Sequence, residues 1–83
     1  GLKTMQEQKI KQDSVIFIGR NIREIRKSKN IKQVDMVKKL QLMGIDITRE
    51  SLVKIERGIQ HIYASQLKAI KEVLSTTYDE LLK

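Results

Sequence analysis

Apolar residues recur three and four positions apart in separate blocks along this chain, and that spacing constrains its fold more than any other feature. Ile18, Ile22 and Ile25, with Val15 three before Ile18, make one apolar stripe on a helix of about residues 14–29. Met36, Val37 and Leu40 make the inner side of a second helix, Gln33 to Leu42, with Asp35, Lys38 and Lys39 facing out. Leu52 and Ile55, with Ser51, do the same for a third helix of about 48–57, and Leu67, Ile70, Val73 and Leu74 for a fourth. Proline is absent, glycine is scarce at four, and Ile, Leu, Val and Lys dominate, which favours helices over a turn-rich β-sandwich. The expectation is an all-α fold.

Punctuation residues fall between these blocks. Asp13 or Ser14 is expected to cap the first helix, and Asp46 or Thr48 the third. Asn30 and Gly58 stand where helices end, in left-handed positions that only Gly or Asn takes cheaply, and Gly44 marks the break after the second helix. Ser75 and Thr76 break the fourth helix. "TYDE", Thr77 to Glu80, has the form of a capping box and opens a short fifth helix containing Leu81 and Leu82. Residues 1–13 are polar without a clear period and read as a frayed N-terminal tail, leaving 14–83 as one compact five-helix bundle. Phe17, Met36 and Met43 are expected in the core or at its margin, and His61 and Tyr63 in loop or edge packing.

At 83 residues, the chain buries only roughly 60–65% of its unfolded surface, which is one small core without room for a substrate cavity. Without cysteine there is no disulfide or thiolate metal site, and a single histidine makes a zinc site improbable. No cofactor and no metal are expected. Lacking a nucleophile, a base and paired carboxylates in an evident pocket, the chain does not read as an enzyme. No apolar run approaches the ~20 residues that span a bilayer, so a cytoplasmic location is the expectation.

The net charge of +7 is unevenly spread. Residues 14–58 carry eleven Lys or Arg against five acids, whereas 59–83 carry three against three. A basic excess concentrated in one stretch is the footprint of a polyanionic partner. Arg20, Arg23, Lys27 and Lys29 fall on the outer face of the first helix. Arg49, in the first turn of the third, is placed to reach a guanine edge with a planar guanidinium, an interaction worth about 1–3 kcal/mol of discrimination.

The segments "IGRNIREIRKSKNIKQVDMVKKL", "ITRESLVKIERG" and "LKAIKEVLSTTYDELL", taken in order, resemble the Cro and phage-repressor type of helix-turn-helix domain, the xenobiotic-response-element regulators. In that family a Gln opens the second helix, an "IERG" sequence closes the recognition helix and "DELL" ends the domain. The resemblance implies a lambda-repressor-like bundle that binds double-stranded DNA as a homodimer on an inverted repeat, most often as a transcriptional repressor. It implies base contacts from Arg49, Glu50 and Lys54, with Glu50 either accepting from cytosine or holding Arg49 in place. It implies phosphate contacts from Gln33, Thr48 and Arg57, to which the basic character of Lys32 and Lys38 adds two more. Arg26 and Glu56 match a structural ion pair that positions the recognition helix. The dimer surface is expected on the last helix, at Tyr78, Leu81 and Leu82. Two features depart from the family pattern. The connection "QLMGIDI" is long, and Val37 replaces a small alanine, which pushes helices two and three apart unless the longer turn compensates.

No small-molecule ligand is evident. Two other classes fit the composition: a protein-interaction module using the same basic face, and an amphipathic binder of anionic membranes. The second lacks the Trp or Phe that the interface favours and needs the apolar positions that the core already uses.

Overall fold

The computed structural model of the chain describes residues 12–83, with side chains described from Phe17 onward. The backbone is all-helical, in five elements: α1 (Gln12–Ser28), α2 (Gln33–Leu42), α3 (Arg49–Glu56), α4 (Ala64–Leu74) and α5 (Tyr78–Leu82). Most of the expected tail, and the side chain of Val15, lie outside the described residues. α1 already includes Gln12, so Asp13 and Ser14 fall within the helix and not ahead of it.

One buried cluster holds the elements together. Ile18 and Ile22 of α1 meet Met36, Val37 and Leu40 of α2, Leu52 and Ile55 of α3, Leu67, Ile70 and Leu74 of α4, and Leu81 of α5, with Ile47 and Ile62 inserted from the connections. Phe17 and Met43, expected at the core or its margin, are exposed. Phe17 is instead covered by the Arg20 guanidinium, 5.6 Å above its ring. Val37 is accommodated inside the core, and α2 and α3 remain in contact. The longer connection is drawn back by Gln41, whose Nε2 donates to the Ile47 carbonyl at 2.9 Å.

Four of the helices stop in the same way. Asn30 (φ 58), Gly44 (φ 85), Gly58 (φ 75) and Ser75 (φ 51) are left-handed, and around each the chain folds back so that two backbone amides bond carbonyls of the last turn. At α1, for example, Asn30 N donates to Lys27 O at 3.0 Å and Ile31 N to Arg26 O at 3.1 Å. Helix starts are capped less uniformly. Thr48 Oγ1 accepts from Ser51 N for α3, Thr77 Oγ1 from Glu80 N for α5, and at α4 it is Gln66 Oε1 that accepts from Tyr63 N. The Glu80 carboxylate turns outward to Lys83 at 3.1 Å.

Two contacts set where α1 lies. At Gly19 it passes so close to α3 that a Cβ there would sit 2.0 Å from the Ile55 carbonyl oxygen. At Asn21, Nδ2 donates to the carbonyls of Leu81 (2.8 Å) and Lys83 (3.1 Å), satisfying the end of α5. Lys29 Nζ reaches the Ser75 carbonyl at the opposite end, so the stretch containing α5 runs antiparallel to α1.

Candidate nucleic-acid interface

The site is built outward from a buried ion pair. Arg26, at the end of α1, donates from Nε to Glu56 Oε2 at 2.7 Å and from Nη2 to Glu56 Oε1 at 2.9 Å; its Nη1 donates to the Ile31 carbonyl at 2.8 Å. Gln33, the first residue of α2, adds a bond from Nε2 to Glu56 Oε1 at 3.0 Å. The side chains of Arg26 and Glu56 are 9% and 2% exposed. One carboxylate at the end of α3 therefore collects donors from α1 and α2, while the guanidinium also clamps the turn between them. Removing one partner from such a pair leaves a buried charge uncompensated, at a cost of about 3–5 kcal/mol. Among the described residues, no buried side-chain polar atom lacks a partner.

Above this pair the surface is cationic. An open groove where α1, α2 and α3 meet is lined by Arg23, Arg26, Lys27, Lys32, Gln33, Val34 and Arg49. A second groove beside it is lined by Arg23, Gln33, Val53, Glu56 and Arg57. Lys32, Gln33, Arg49 and Arg57, all expected at the site, are thus gathered around one surface. The start of α2, at Lys32, Gln33 and Val34, lines this groove and is not capped by a side chain, and a helix N-terminus favours anions.

The remaining expected contacts are placed differently. Glu50 pairs with Lys54 one turn along at 3.3 Å and does not hold Arg49 in place. Both are exposed on α3, where a pair of this kind is worth a few tenths of a kcal/mol and separates readily. Thr48 also lies at the helix start, but its hydroxyl accepts from Ser51 N and donates to Ser51 Oγ, both at 3.1 Å. That hydroxyl caps α3 at the same helix start that carries Arg49. Lys38 is exposed on α2 and lines neither groove.

At the far end, Tyr78 and Leu82 are exposed and four apart on α5, hence on one face. Leu81 is fully buried in the core, which removes it from the expected dimer surface. Lys71 Nζ lies 4.9 Å above the Tyr78 ring.

The spacing alone puts Arg23 and Lys27 on the outer face of α1; in the fold both line the first groove. The signal was present in their spacing: Arg23 lies three residues before Arg26, on the same side of α1. Among the described residues, no group of His, Asp and Glu side chains is arranged to hold a metal, and no helix is long and apolar enough to cross a membrane. Compared with protein-family models, curated proteins and solved structures, the chain matches none.

Proposed function

We propose that this chain is a sequence-specific DNA-binding transcriptional regulator of the lambda-repressor-like helix-turn-helix type, a repressor that binds an inverted-repeat operator as a homodimer. The observation that carries the reading is the cationic groove formed by Lys32 and Arg49 at the α1–α2–α3 junction, beside the exposed first turn of α3. In this reading α2 and α3 are the helix-turn-helix pair and α3 enters the major groove. Arg49 reads a base edge, with Glu50 and Lys54 released from each other to do the same. The amides of α2, with Gln33, Lys32 and Arg57, hold the phosphate backbone and fix register. Lys38 adds charge toward the backbone from further along α2. The buried Arg26–Glu56 pair sets the angle at which α3 is presented.

One recognition helix binds weakly, and a two-fold pair reads two half-sites about 10–10.5 base pairs apart. The Tyr78 and Leu82 face of α5 supplies the contact between copies. It lies in a stretch of balanced charge, so two copies of a chain with net charge +7 meet there with less repulsion than anywhere on the basic side. The protein acts in the cytoplasm, on DNA and not as an enzyme. Titration of random-sequence duplex tests the binding itself: affinity that falls steeply with salt supports the reading, and failure to bind at low salt refutes it.

A protein-interaction module is the second reading. Leu42, 88% exposed, and Met43 end α2 in the same segment as Lys38 and Lys39, an apolar spot that a phosphate backbone does not use. Salt-insensitive binding to a protein, without DNA binding, favours it.

A further inference from the structure

The two grooves share Arg23 and Gln33, and together they form one trench. Six cations line it. Arg26 is tied to Glu56; the other five are Lys27 and Arg23 from α1, Lys32 from the turn, Arg49 from the start of α3 and Arg57 from its end. Among the described residues none of the five is in an ion pair. The trench contains one carboxylate, Glu56, and that one is consumed by Arg26 and Gln33. A protein that leaves five cations side by side and neutralises the single acid among them accepts mutual repulsion, which an anionic ligand relieves.

We propose that this trench is the seat of a run of consecutive backbone phosphates, and that Arg23, common to both of its halves, is the central phosphate ligand, with Lys27 extending the run. The inference rests on the DNA-binding reading and adds two ligands from α1 to it. A single phosphate does not occupy both halves, whereas neighbouring phosphates of one strand follow such a trench. Continuity with Arg49 favours a nucleic-acid backbone over an acidic peptide, because the same trench wall ends on the exposed turn of α3. Arg23 carries no sequence information in this role; it sets affinity and register.

The experiment is a fluorescence-anisotropy titration of random-sequence duplex with the full chain, at 50 and 200 mM salt, comparing wild type with Arg23→Gln, Lys27→Gln and the control Lys68→Gln on α4. Each phosphate contact contributes about 0.9 to the slope of log affinity against log salt, so removing one shrinks the loss over this fourfold range by about 3.5-fold. Arg23→Gln and Lys27→Gln are expected to weaken binding at low salt and to flatten the slope by about one contact each, with unchanged helicity by circular dichroism; Lys68→Gln is expected to leave both intact. Wild-type affinity and slope in Arg23→Gln, in a chain that binds duplex, overturn the trench and leave the DNA-binding reading standing. Failure of the wild type to bind duplex overturns both, and capture of a polyglutamate peptide that is lost in Arg23→Gln then transfers the trench to a protein ligand.

Discussion

Gly19→Ala is a sharp test of how α1 and α3 are held. Alanine in a helix interior is ordinarily better than glycine by about 1 kcal/mol. Here the added Cβ meets the Ile55 carbonyl oxygen at 2.0 Å and the Glu56 carbonyl oxygen at 3.1 Å. Both are backbone atoms of α3, which no rotamer change can move aside. Ordinary contact begins near 3.4 Å, so the helices must separate by about 1.4 Å. Overpacking of this kind costs about 1–3 kcal/mol, and backbone displacement puts it at the upper end. With the propensity gain subtracted, the net loss is about 2 kcal/mol, a fall in Tm of about 8–16 °C for a domain this size. Gly44→Ala supplies the comparison, since its Cβ meets nothing within 4 Å and only the positive φ of 85° is penalised, by about 1 kcal/mol. Urea and thermal unfolding followed by circular dichroism at 222 nm read both. A Gly19→Ala variant as stable as wild type, or more so, refutes the close packing of α1 on α3.

Three further outcomes follow from the same contacts. Arg26→Met strands the Glu56 carboxylate and is expected to cost about 3–5 kcal/mol by urea melt, while Arg26→Met with Glu56→Leu recovers most of that loss; equal losses in both variants contradict the burial of the pair. Ser75→Gly relieves a non-glycine residue at φ 51 and is expected to raise stability by about 1 kcal/mol in the same melt. If copies pair through α5 as proposed, Leu82→Asp is expected to leave the melt almost unchanged, because the side chain is half-exposed, yet to sediment as a monomer at a micromolar concentration where wild type is dimeric; a folded, fully dimeric variant refutes the proposed α5 contact.

The spacing of apolar residues was enough to lay out α2 to the residue and α3 to its caps, because burial on one face and a left-handed stop are both local demands. Asn30 and Gly58 were legible for that reason, whereas Gly44 and Ser75 were readable as breaks but not as left-handed residues. Long-range relations were less legible. Gly19 sits inside an apolar stripe, where a glycine weakens a helix without local benefit, and only the approach of α3 explains it. Leu81 and Leu82 are adjacent and chemically identical, and which one faces inward depends on how α5 lies against α1. Phe17 looked like core by residue type, but a helix turns it outward one position before Ile18. Residue type and register singled out Arg49, Lys32 and Arg57, which the fold gathers around the grooves, whereas the place of Arg23 beside them emerges only once α1, α2 and α3 meet.

Selection from a randomised duplex pool, run with wild type and with Arg49→Ala, shows whether α3 reads bases. A base-reading α3 on a two-fold pair predicts an enriched inverted repeat with half-sites about 10–10.5 base pairs apart, and relaxed preference at one position in each half-site for Arg49→Ala. A pool that yields no enriched sequence, bound equally by wild type and Arg49→Ala, contradicts a base-reading α3 and with it the assignment of this chain as a sequence-specific regulator.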